Sequence, residues 1–128
     1  MAPVQLRVLP DGYAIVRLHP GSELPPWVDA GPFRSVTRTD NEVSVVCRDR
    51  DVPDGESAER GWRVLELKGP LDFSLTGVVA SLVVPLAEAE ITVFVISTFE
   101  TDYILVRASD LQPASDALAA VGHSVGDA

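Results

Sequence analysis

One cysteine, Cys47, stands in 128 residues. A single thiol closes no disulfide within the chain, so nothing calls for an oxidising compartment. Basic residues are scarce too: ten Lys and Arg face nineteen Asp and Glu, a formal net charge of −9. That surplus repels phosphate backbones and anionic lipid headgroups. It argues against nucleic acid and membrane surfaces as partners, and it favours solubility. Long apolar runs are missing. The longest, Gly77 to Ala87, is interrupted by Ser81 and Pro85 and is too short to span a bilayer. Met1 to Pro10 has no apolar segment behind a basic start, so no leader is read there and a cytoplasmic protein is expected.

The signatures of chemistry are missing as well. His19 and His123 have no second His or Cys at metal-ligand spacing, and both read as surface or loop residues. There is no P-loop, no G-x-G-x-x-G, and no G-x-S-x-G around Ser97. Asp49-x-Asp51 opens like a calcium loop, but Pro53 takes the fifth position and the glycine, Gly55, falls one residue late. No metal, no cofactor and no catalysis are expected.

What is present is a core-forming pattern. Hydrophobic residues make up 46% of the chain, enough to bury one compact interior or two small ones sharing it. Val4, Leu6 and Val8 alternate with polar neighbours, Pro10-Asp11-Gly12 reads as a turn, and Tyr13 to Leu18 as a second strand, so the opening reads as a hairpin. Four prolines between His19 and Pro32 allow only a turn or two of helix, over Leu24 to Ala30. Phe33–Arg38 and Glu42–Arg48 form a strand pair about Asp40-Asn41. Alternation puts Cys47 on the face of Val43 and Val45, where it is buried and inert. Asp49 to Gly61 is an acidic loop, and Trp62 to Lys68 is again a strand.

The C-terminal half is more regular. Leu75, Val78, Val79, Leu82, Val83 and Leu86 mark one buried stripe of a helix over Thr76–Ala87, capped by Asp72 or Ser74 and loosened near its end by Pro85. The run ITVFVIS at Ile91 to Ser97 reads as a central strand, and DYILVR at Asp102 to Arg107 as its antiparallel partner. A second helix, Asp110–Val121, follows Asp110 as cap and ends at Gly122; His123 to Val125 can add a last strand. The order is βαββαβ, ferredoxin-like, with two helices on one face of an antiparallel sheet. The first half repeats it in weaker form. The fold class is therefore α+β in two halves, 1–61 and 62–128. Trp27, Trp62, Phe73 and Phe94 read as anchors of the core or of an interface.

The stretch from Lys68 carries two marks: Gly69-Pro70-Leu71-Asp72-Phe73-Ser74-Leu75-Thr76-Gly77 and Ile96-Ser97-Thr98-Phe99-Glu100-Thr101-Asp102-Tyr103. In these it resembles the ACT domains of small bacterial proteins with two ACT-like halves. It is similar also to the arginine-sensing ACT proteins of animals and, more distantly, to the regulatory ACT domains of aspartate kinases. The resemblance implies a non-catalytic sensor in which ACT units pair side by side, as a homodimer, and bind an amino acid at their interface. It implies ligand contacts from Asp72, Phe73, Ser74, Thr76 and Gly77 before the first helix, and from Ser97, Thr98, Phe99 and Asp102 at the strand end. Read physically, a helix N-terminus offers unpaired N–H groups to a carboxylate and Asp102 offers a partner to a cation. The plainer readings are a cap at Asp72 or Ser74 and a local turn at Asp102. The arginine-sensing relatives carry a further acid near the first helix, where this chain reads Ser74-Leu75-Thr76. That departure leaves open which amino acid binds, and it favours the alternative of an interaction protein that has lost its ligand.

Overall fold

The structure, a computed structural model, describes residues 3–72 and 76–127. In chain order the elements are β1 (Gln5–Val8), β2 (Tyr13–Leu18), a 3-10 turn (Pro26–Asp29), β3 (Ser35–Arg38), β4 (Val43–Arg48), a second 3-10 turn (Asp49–Asp51) and β5 (Ala58–Leu67). Then come α1 (Val78–Glu88), β6 (Val93–Ser97), β7 (Asp102–Arg107), a 3-10 turn (Ala108–Asp110), α2 (Leu111–Ala120) and β8 (Ser124–Asp127). The chain divides into two compact units, 11–62 and 1–10 with 63–128. The first ten residues group with the C-terminal ones because β1 pairs with β5 antiparallel and with β8 in parallel. The opening hairpin read from the sequence is thereby replaced: Leu6 lies opposite Leu67 and Val125.

Unit 11–62 orders its strands β3-β4-β2-β5, with Val16 opposite Val45 on one side and Ala58 on the other. This is the βαββαβ order with both helices shrunk to 3-10 turns, as four prolines and an acidic loop dictate. Its core is Ala14, Val16, Val28, Val43, Val45, Cys47 and Val52. Cys47 is fully buried, and that burial, aided by the charges of Asp51 and Asp49, pushes its thiol from 9.0 up to about 11. Burial likewise raises the Tyr13 phenol, with Asp11 adding to it. Both groups hold their protons harder folded than unfolded. The contribution of Cys47 to stability is full below pH 9.0 and is lost as pH rises through about 11. Urea melts across that range should show falling midpoints, and Cys47→Ala should flatten the slope. Thiol reagents at neutral pH should modify Cys47 only as fast as the unit opens.

Unit 1–10 with 63–128 orders its strands β8-β1-β5-β7-β6. One face carries both helices. Val78, Leu82 and Leu86 of α1 and Ala114 and Leu118 of α2 pack on Leu6, Val8, Leu65, Leu67, Ile104 and Val106. Burying each such Val or Leu stabilises by about 1.5–3 kcal/mol. The expected stripe is there, although Leu75 lies outside the described residues. Helix α1 starts two residues later than expected because Gly77 adopts a left-handed φ of 79° and is itself the cap. Gly77 takes the N-cap place read at Asp72 or Ser74, and Asp110 stands at the N-cap of α2 as read, with no side-chain cap hydrogen bond at either position; Ser74 lies outside the described residues. Among the described residues strand β6 is an edge, paired with β7 alone, and its residues are half-buried or exposed. An unbroken apolar run had read as a central strand; here both faces are apolar and neither is deeply covered.

His123 is a further correction. It is 5% exposed and joined on both sides. Its Nδ1 accepts the Val4 N–H at 3.1 Å, which leaves Nε2 to donate to the Ser81 carbonyl, also at 3.1 Å. His19 is exposed, as expected. No helix among the described residues is long and apolar enough to cross a membrane.

Candidate functional site

Ser97 ends β6 and Asp102 opens β7, and the two lie opposite one another in the ladder. Between them the chain turns tightly. The Thr98 N–H donates to the Thr101 carbonyl at 2.8 Å, and the Thr98 hydroxyl donates to the same carbonyl while accepting the Thr101 N–H at 3.3 Å. Phe99 and Glu100 are left at the tip. Phe99 is 79% exposed, a cost in water for a ring of that size unless something covers it. Asp102 accepts the Ser97 hydroxyl on Oδ1 at 2.5 Å. The plainer reading had Asp102 bonding local backbone; its described partner is instead a side chain across the ladder, and that bond occupies one carboxylate oxygen.

The loop after β5 is laced to this turn. The Thr101 hydroxyl donates to the Leu67 carbonyl at 2.7 Å, and the Leu71 N–H donates to the Glu100 carbonyl at 2.7 Å. Gly69 makes the approach possible: a Cβ there would lie 3.0 Å from both the Glu100 oxygen and the Thr101 Cβ. The loop then leads to Gly77 and the start of α1.

Between the turn and the helix start lies a cleft of about 380 Å³. Asp72, Gly77, Ser97, Thr98, Phe99 and Asp102 all line it. Thr76 is exposed and not part of its wall, and Phe73 and Ser74 lie outside the described residues. Sequence reasoning missed Leu71, Val78, Val79, Ala80, Glu100 and Thr101, which also line it. The double hydrogen bond from loop to turn brings in the first and the last two, and no local pattern signals such a bond. The wall carries three acids, Asp72, Glu100 and Asp102, and no Lys or Arg. The first turn of α1 faces it through Val78, Val79 and Ala80, close to the helix N-terminus with its unpaired N–H groups. One end suits an anion and the other a cation.

Comparison with known proteins adds five likenesses. The ACT domain family matches residues 57–120, and a family described as an N-terminal domain matches 11–55. The cytosolic arginine sensor for mTORC1 subunit 1 of Bos taurus is 32% identical over 98 residues, covering 68% of this chain and 30% of that protein. This chain thus spans about 30% of the length of that relative. Among solved structures, the Agrobacterium tumefaciens protein Atu0741 is 39% identical with a TM-score of 0.94, covering 100% of this chain and 96% of that one. The regulatory subunit of aspartate kinase from Thermus thermophilus, at 9% identity and a TM-score of 0.61, covers 91% of this chain and 96% of its own. At that identity the likeness is one of fold.

Proposed function

The chain belongs to the ACT domain family, and from that premise we propose a non-catalytic amino-acid-binding regulatory module whose ligand occupies the cleft between the β6–β7 turn and the start of α1. One observation carries the reading. Two segments separated by sixteen residues, 71–72 with 77–80 and 97–102, meet in a single cleft with an anion-favouring helix end and a cation-favouring acid. The ligand's carboxylate lies by the backbone at Gly77–Val78, and its amine or side-chain cation by Asp102, Thr98 and Phe99. A simple anion or a simple cation would satisfy one end alone.

The module works in the cytoplasm as a homodimer. The exposed Phe99 ring at the cleft mouth and the thinly covered apolar edge of β6 support this: a second copy would bury both. The animal arginine sensor supports the choice of an amino acid, while the Ser74-Leu75-Thr76 segment leaves the ligand's identity to experiment.

Titration calorimetry of the twenty amino acids against wild type and Asp102→Ala is the test. One amino acid should bind, and the variant should bind it at least about ten-fold more weakly, since a charge-assisted bond contributes about 1.5–3 kcal/mol. Equal affinities would remove Asp102 from the site. A wild type that binds none of the twenty would favour the second reading, an ACT unit kept for protein interaction.

A further inference from the structure

The sheet of unit 1–10 with 63–128 has a second face, turned away from the helices. Alternation along β1 and β5 sends Leu6, Val8, Leu65 and Leu67 into the core and Gln5, Arg7 and Glu66 to this other side. The register builds a row across four strands. Arg7 lies opposite Glu66 on β5 and Gly126 on β8, and Tyr103 of β7 hydrogen-bonds Glu66. A second row runs beside it. Ser124 lies opposite Gln5, whose carbonyl accepts the Lys68 N–H at 2.9 Å. These two rows floor a hollow of about 660 Å³, larger than the helix-side cleft and meeting it only at Glu100 and Thr101. The volume falls within the usual range for small-molecule sites.

Around Glu66 it holds donors that no described bond uses. Glu66 is occupied: the Arg7 Nε–H donates to its Oε1, and Tyr103 holds it from the other side. Burial and the Glu66 charge both raise the Tyr103 phenol, so it stays protonated. The terminal N–H groups of Arg7, the Lys68 ammonium, the Gln5 amide and the Ser124 hydroxyl form no bond described in this structure. Two of the chain's ten Lys and Arg therefore converge on one hollow with donors to spare, in a protein of net charge −9. Three acids, Glu66, Glu100 and Asp127, line it against those two cations, so only a head of single charge, in direct contact with Lys68 and Arg7, could be held. A second copy of this face is a poor occupant, because two hollows set together would enclose empty space.

We infer that this sheet face is a binding site for a small organic anion with one anionic head, carboxylate or phosphate, held by Lys68 and Arg7 with its neutral body over Tyr103. It is separate from the amino-acid cleft and does not rest on that reading. The probes are benzoate and phenyl phosphate, which share a body and differ in head, with citrate as a polyanion, each titrated up to about 10 mM and followed by amide chemical shifts. Saturable shifts at Gln5, Arg7, Lys68 and Ser124 with at least one of the first two are expected. Lys68→Gln, a change at an exposed position, should weaken that binding about ten-fold. Asp102→Ala should leave it unchanged. Which head binds better tells carboxylate from phosphate. No saturable shift on this face with either probe, equal affinity in Lys68→Gln, or tighter binding of citrate would overturn the inference.

Discussion

Replacing His123 by Leu should destabilise its unit by about 2–4 kcal/mol. The reason begins at Pro85, inside α1. Proline has no N–H, so the carbonyl four residues back, at Ser81, loses its partner in the helix ladder. His123 supplies the missing donor from Nε2 at 3.1 Å. On its other side Nδ1 accepts the N–H of Val4, just ahead of β1. One 5%-exposed ring thus satisfies two backbone groups from segments 119 and 42 residues away. Leucine fills the volume and satisfies neither, and each orphaned buried group costs about 1–3 kcal/mol. A thermal melt should show this as a fall of roughly 10 °C or more. The mechanism has its own check. Pro85→Ala restores the N–H for Ser81, so in that background His123→Leu should cost about 1 kcal/mol less. Additive effects of the two changes would show that His123 does not answer to Pro85.

His123 also shows where the sequence stops being legible. A lone histidine after a helix stop carries no local signal. Its role appears only when Pro85 and Ser81 of α1 are seen together with Val4, just ahead of β1. Patterns with a period fared better. The stripe Val78–Leu82–Leu86 and the pair β6–β7 were readable because each is fixed by neighbours in the chain. What the period cannot tell is how many neighbours a strand has. ITVFVIS is as apolar as a central strand, yet β6 has one partner among the described residues. Nor does it reveal a distant partner. Pro10-Asp11-Gly12 is a sound turn signal, but β1 satisfies its ladder with β5 and β8, the latter over a hundred residues on. The same limit separates the two cavities. Residues of the helix-side cleft fall in two short motifs, so resemblance could point to them. The sheet-face hollow draws on residues from Gln5 to Asp127, in four separate groups of three to five, and leaves no motif behind.

Replacing Gly69 by Ala should impair both stability and ligand binding, because this residue lets the two walls of the cleft touch. Its added Cβ would meet the Glu100 carbonyl oxygen and the Thr101 Cβ, both at 3.0 Å. The first is backbone and the second belongs to a residue only 8% exposed, so neither can swing aside as a long side chain would. Relief requires the loop and the turn to part by a few tenths of an ångström. That strains two 2.7 Å bonds, Leu71 N–H to Glu100 and Thr101 hydroxyl to Leu67. Overpacking of this kind costs about 1–3 kcal/mol. The consequence for binding follows from geometry, since Asp72 rides on the loop while Thr98 and Asp102 ride on the turn. A ligand held at both ends loses the spacing it was fitted to, and its affinity should fall about ten-fold or more. Thr101→Val separates the two effects. It removes the bond to Leu67, at a cost of about 1–2 kcal/mol, without pushing the walls apart. Its melting point should drop about as far as that of Gly69→Ala while calorimetry shows a smaller loss of affinity. If both variants lost binding in the same proportion as stability, the cleft would depend on the firmness of the unit as a whole and not on the contact that Gly69 permits.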